Sequence, residues 1–171
     1  MILSQDIYKK ATQTVKKCGT RNPVKIAQEL GVHLYYESFN SLLGLYTCKW
    51  RRRMIFINSA LEEPISTIVL AHELGHDFLH REMATNGLRE YNIFGIKDRT
   101  EQEANAFAAH LLLDDDEVLG LVEEGLSLNE IASILNTSTD LLLIKLEQMN
   151  ALGHSISIPY PSDSGFIKQL H

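Results

Sequence analysis

Val69-Leu70-Ala71-His72-Glu73-Leu74-Gly75-His76, near the middle of the chain, carries an HExxH pentad behind three apolar residues. On a helix, His72 and His76 are one turn apart, so their imidazoles leave the same side about 6 Å from each other and can close on one metal ion. Zinc is the default guest of such a pair. At about 100° per residue, His76 stands about 40° from His72 and Glu73 about 100° from it, a position that suits a base better than a third ligand. Upstream, Glu62-Glu63-Pro64 followed by Ile65, Ile68 and Val69 at helical spacing predicts a helix that begins near residue 62 or 63. Without a metal, two histidines on an apolar stripe would need a hydrogen-bond partner for every ring nitrogen.

A carboxylate from a second helix is a standard third ligand. Thr100-Glu101-Gln102-Glu103-Ala104-Asn105-Ala106-Phe107-Ala108-Ala109-His110-Leu111-Leu112-Leu113 predicts that helix, with Thr100 and Glu103 as a capping box. Ala104, Ala108 and Ala109 permit close approach to a neighbour, while Phe107, Leu111 and Leu112 supply core bulk. Glu101 and Glu103 compete as ligand, and at about 200° apart they cannot both face the metal. Glu101 shares its face with Asn105 and the small alanines, so spacing leans towards Glu101 and keeps Glu103 as the alternative. His110 is expected at the periphery. His80, one turn beyond His76, is expected to hydrogen-bond to backbone or to a ligand's partner, with substrate contact as the alternative.

Further out, Val32-His33-Leu34-Tyr35-Tyr36, Leu42 to Lys49 and Met54 to Asn58 read as strands rich in branched and aromatic residues. Because they are consecutive, the predicted fold is α+β: a small, twisted, three-stranded, mostly antiparallel sheet packed on a helical core. Lys49 and the arginines of Trp50-Arg51-Arg52-Arg53 read as a solvated hairpin tip, the alternative being a patch for an acidic or nucleic-acid-bound partner. Residues 81 to 100 read as a connecting loop. Two helices precede the strands, one over 5 to 18 ended by Gly19, and a short one opened by Asn22-Pro23 and stopped by Gly31.

Asp114-Asp115-Asp116-Glu117 reads as the cap of a helix over 114 to 124. Ser127-Leu128-Asn129-Glu130 is a second capping box and opens two short helices that end at Gly153. The expected division is a catalytic domain over 1–125, a helical pair over 126–153 packed on it, and a tail over 154–171. The pair has the outline of a helix-turn-helix, but Asp140-Leu141-Leu142-Leu143-Ile144-Lys145-Leu146-Glu147 offers a single lysine and little to read bases.

At 171 residues, 44% apolar and 22% charged, the chain can bury one real core. A net charge of −6 disfavours nonspecific nucleic-acid binding. Cys18 and Cys48 make no disulfide framework and read as reduced thiols, hence a cytoplasmic protein. No export signal and no membrane span are visible, so neither nucleic acid nor membrane is an expected partner.

Taken together, Asn22-Pro23 to Gly31, Ile55-Phe56-Ile57-Asn58, the HELGHxxLH run from His72 to His80, and Glu101-Gln102-Glu103-Ala104-Asn105-Ala106-Phe107-Ala108 resemble the ImmA/IrrE family of zinc metallopeptidases. The resemblance implies a zincin-like core and a gluzincin-like centre in which His72, His76 and Glu101 hold Zn2+ and Glu73 is the base, with Asn105 orienting a histidine. It implies a zinc metalloendopeptidase that cleaves a protein substrate, a helix-turn-helix repressor of phage or mobile-element type, by metal-activated water attack. Tyr91, His80 and His154 are candidate oxyanion donors, and the strand around Gly44 to Thr47 is the expected substrate rail. Two other classes compete: an interaction module with a structural zinc, and a DNA-binding regulator using the last helix pair.

Overall fold

The computed structural model describes residues 3–90 and 98–158. In chain order these form α1 (Ser4–Cys18), α2 (Pro23–Glu29), β1 (His33–Glu37), β2 (Gly44–Lys49), β3 (Arg52–Asn58), α3 (Ile65–Leu79), a 3-10 turn (Arg81–Asn86), β4 (Leu88–Glu90), α4 (Arg99–Leu112), α5 (Asp115–Glu123), α6 (Leu128–Ile134) and α7 (Thr139–Ala151). Local chemistry sets several ends. Asn22 Oδ1 accepts from the Val24 and Lys25 amides at the start of α2, and Gly19 takes φ 64° to stop α1. Ser127 and Glu130 form the expected capping box of α6.

The sheet corrects the expected architecture. It has four strands in the order β1-β3-β2-β4 and is mixed, not three-stranded and mostly antiparallel. β1 runs parallel to β3, whereas β2 is antiparallel to both β3 and β4. Sequence neighbours β1 and β2 therefore do not pair, because residues 38–43 carry the chain across the end of β3. Asn58 fastens that crossing. Its backbone amide donates to Leu43 O at 2.9 Å, and its side-chain amide donates to Phe39 O at 3.0 Å and Leu42 O at 2.9 Å. The fourth strand comes from the stretch expected to be loop: Leu88, Arg89 and Glu90 pair with Tyr46, Leu45 and Gly44.

The β2–β3 hairpin is also tighter than expected. Lys49 pairs with Arg52, and the two residues between them, Trp50 and Arg51, take φ 50° and 64°, as a type I′ turn requires. Trp50 and Arg51 at the tip and Arg52 at the start of β3 are exposed, but Arg53, the next residue of β3, turns inward. Its Nη1 donates to Asp77 Oδ2 at 2.8 Å, and its Nη2 donates to Leu30 O.

Asp77, buried on α3, thus pins the sheet to the helix. Tyr46 Oη donates to its Oδ1 at 2.7 Å and Arg81 Nη2 to its Oδ2 at 3.2 Å. Burial first, and then the bond to Asp77, push the Tyr46 phenol well above its ordinary range, so the hydroxyl stays a donor. Replacing Asp77 by Ala leaves a buried phenol and an inward guanidinium without their acceptor. The expected loss is roughly 3–5 kcal/mol of unfolding free energy. Urea denaturation checks it, and a loss under about 1 kcal/mol would contradict the pin.

α3 is buried all round from Ile68 to Asp77, with the sheet on one side and α4 on the other. A Cβ on Gly75 would lie 2.9 Å from Ala104 Cα and 3.0 Å from Ala104 O, so these two helices cross where both residues are small. α4 is capped by Asp98, whose carboxylate accepts from the Thr100 amide at 3.2 Å, rather than by the expected Thr100–Glu103 box.

His110, expected at the periphery, is fully buried. Lys145 of α7, also fully buried, donates to His110 Nδ1 at 3.2 Å and to Asp115 Oδ1. Burial, then the Lys145 charge, lower the His110 pKa to about 3, which keeps the ring a neutral acceptor. The single lysine of α7 is therefore a core cation joining α4, α5 and α7, not a nucleic-acid contact. Among the described residues no helix is long and apolar enough to cross a membrane.

Candidate metal centre

The crossing of α3 and α4 brings His72, His76 and Glu101 together. His72 Nε2 lies 3.0 Å from His76 Nε2 and 3.0 Å from Glu101 Oε2, and His76 Nε2 lies 3.5 Å from the same oxygen. Among the described residues this is the only group of three such donors whose ligand atoms all fall within 4.8 Å of one another. Both imidazoles are buried, and Glu101 is partly open to solvent.

The outer ring nitrogens decide what the inner ones present. His72 Nδ1 lies 2.8 Å from Asn105 Oδ1. An amide oxygen only accepts, so His72 carries its proton on Nδ1 and turns the Nε2 lone pair into the cluster. His80 Nε2 lies 3.0 Å from Glu103 Oε2, and His80 Nδ1 lies 3.0 Å from His76 Nδ1. An ionised carboxylate also only accepts; His80 therefore donates from Nε2, accepts at Nδ1 from the His76 Nδ1–H, and leaves His76 Nε2 bare. Burial lowers the His76 pKa to about 4, with the Glu101 carboxylate opposing it by favouring the protonated ring, so the ring is neutral near pH 7.

Two bare lone pairs 3.0 Å apart beside a carboxylate oxygen repel one another, and a cation among them turns that repulsion into attraction. The spacing suits zinc. Donors about 2.0–2.1 Å from a tetrahedral ion lie roughly 3.3 Å apart, and the separations here run from 3.0 to 3.5 Å. The residues present fit such an ion. Glu103 does not enter the group; its carboxylate goes to His80 and, at 3.0 Å, to Arg99 Nε.

Glu73 is fully buried beneath β2. A Cβ on Gly44 would lie 2.4 Å from Glu73 Oε1 and 2.7 Å from Val69 Cγ1. Gly44 enters the sequence reading only as the start of the substrate rail and not as the neighbour of Glu73, although a glycine inside an expected strand is a sign of close approach. The Gly44 to Tyr46 stretch of β2 is paired on both sides, by β3 and by β4, so a substrate strand does not add there as expected. Of the candidate oxyanion donors, His80 engages both its nitrogens with His76 and Glu103, and His154 is exposed past the end of α7. Tyr91 lies outside the described residues.

A helix bearing HExxH, a glutamate from the helix that crosses it and a buried acid beside the pair together make a centre of the metallopeptidase class. Residues 27–147 match the model of the M78 peptidase family, described as the IrrE N-terminal-like domain. The chain belongs to that family. Its similar proteins include the metallopeptidase ImmA of Bacillus subtilis strain 168, 29% identical over 159 residues that span 90% of this chain and 91% of that one. An uncharacterized immunity region protein 2 of Bacillus phage phi105 is 33% identical over 132 residues, 77% of this chain and 83% of its own.

Proposed function

We propose that the protein is a zinc-dependent endopeptidase whose substrate is a protein, specifically a helix-turn-helix transcriptional repressor. The observation that carries the reading is the convergence of the His72 and His76 Nε2 atoms and the Glu101 carboxylate, with Glu73 buried next to His72 in the chain. The printed name of one relative, a metallopeptidase, supports the reaction; the repressor target rests on the resemblance of the HExxH and Glu101-to-Ala108 runs to the ImmA/IrrE family. In this reading the enzyme works in the cytoplasm, with Cys18 and Cys48 as free thiols.

His72, His76 and Glu101 would hold the zinc, which when bound supplies Lewis acidity that lowers the pKa of a water towards about 7. Glu73 is the residue placed to take the proton of the attacking water onto its carboxylate. When the C–N bond breaks, the same carboxyl returns the proton to the leaving nitrogen. Burial under Gly44 fixes the carboxylate's position and shields it from bulk solvent. Asn105 holds the His72 ring with its lone pair turned inward. β4, the outermost strand on this side of the sheet among the described residues, is the edge offered to an extended substrate.

A sealed structural zinc takes four protein ligands, and the described residues converge only three. The test offers the protein candidate helix-turn-helix repressors from the same genome as substrates. Zinc-loaded protein is expected to cut one of them at a defined site, a chelator to abolish the cleavage, and added zinc to restore it. Cleavage that survives complete removal of the metal, or no cleavage by the loaded protein, would count against the proposal.

A further inference from the structure

We infer that His80 and Glu103 are a positioning pair for the centre: Glu103 binds no metal, but it fixes, through His80, which nitrogen of His76 is free to do so. This rests on the zinc reading above. The chain of contacts runs from Arg99 Nε to Glu103 Oε1 at 3.0 Å, from Glu103 Oε2 to His80 Nε2 at 3.0 Å, and from His80 Nδ1 to His76 Nδ1 at 3.0 Å. The His80 and Glu103 side chains are only 4% and 11% exposed, so water competes little for these bonds.

The direction of the chain matters more than its strength. A histidine pair joined through Nδ1 atoms can hold the shared proton on either ring. If His80 donated, His76 would carry its own proton on Nε2, aimed at the metal position. An acceptor-only carboxylate at the far end removes that choice, because it draws the His80 proton to Nε2 and leaves Nδ1 to accept. Arg99, ion-paired to the same carboxylate, holds it in place.

Glu103 reaches the centre only through a relay because it sits about 200° around α4 from Glu101. His80, one turn past His76 on α3, spans that gap. One turn of α4 therefore serves the whole centre. Glu101 faces the inner nitrogens, Asn105 directs His72, and Glu103 directs His76 by way of His80.

The test is the zinc dissociation constant, by chelator competition, for the wild type, His80→Leu, Glu103→Ala, the double variant and His80→Gln. Absorption of the cobalt-loaded proteins and melting of the metal-free proteins accompany it. Each single loss is expected to weaken zinc binding roughly 10–100-fold and to alter the cobalt spectrum. The double variant is expected to bind no worse than His80→Leu, since both act through one path. Gln at position 80 presents an oxygen to His76 and an N–H to Glu103, so it is expected to recover most of the affinity. A purely structural pair would lower the melting temperature and leave affinity and spectrum unchanged, which would overturn the inference. Losses that multiply in the double variant would overturn it too. Should His80→Leu fail to fold, Glu103→Ala and His80→Gln decide the matter. A wild type that takes up no zinc would instead defeat the metal reading itself, and that is visible before any variant is made.

Discussion

Glu73→Gln is expected to lower the hydrolysis rate roughly 10²–10⁴-fold, about 3–5.5 kcal/mol in the barrier, without unfolding the protein or emptying its metal site. Glutamine has the same shape and fills the same buried space under β2, but it cannot take a proton from water or return one to an amine. His72, His76 and Glu101 keep their geometry because Glu73 is not among the converging donors. Measuring kcat/KM on the repressor beside metal content separates the two roles. A variant within about threefold of wild type would remove Glu73 from the chemistry.

Gly44→Ala is the second large effect, and it acts from a residue with no functional group. The added Cβ would fall 2.4 Å from Glu73 Oε1, where ordinary contact begins at 3.4 Å. The strand is held at Gly44 by Ile57 on one side and Glu90 on the other, so β2 has little freedom to retreat. The carboxylate must therefore move by about 1 Å, a displacement that typically costs on the order of 10²-fold in rate. Zinc affinity is expected to change little, because the clash falls on Glu73 and Val69 rather than on the ligand set. Full activity with alanine at 44 would contradict the buried position assigned to the base.

Helical periodicity made much of this site legible in advance. The HExxH register, the small residue Ala104, and the shared face of Glu101 and Asn105 all follow from about 100° per residue, and these are the residues that meet. The role of Glu103 was not readable that way. It depends on where α3 and α4 cross, at Gly75 against Ala104, which a single helix's pattern does not encode. The same first turn offered a plausible capping box, and Asp98 took the cap instead.

The sheet was harder for a different reason. Each strand's composition marks it as a strand, but which strand pairs with which is fixed by long-range contacts such as those of Asn58 to Phe39 and Leu42. β4 has three residues, too few for alternation to show. Arg53 was within reach: once the turn is confined to Trp50 and Arg51, the period of two puts Arg53 on the side of Ile55 and Ile57, facing α3. His110 could have been paired with Lys145 by noting a lone cation in an otherwise apolar stretch of α7.

On the zinc reading, α3 and α4 together grip one cation and leave it open to solvent. X-ray diffraction from zinc-loaded crystals, collected on both sides of the zinc absorption edge, tests it most directly. One anomalous peak is expected, bonded to His72 Nε2, His76 Nε2 and the Glu101 carboxylate, with water in the remaining position. No peak between the two helices, or one closed off by a fourth side chain, would contradict it.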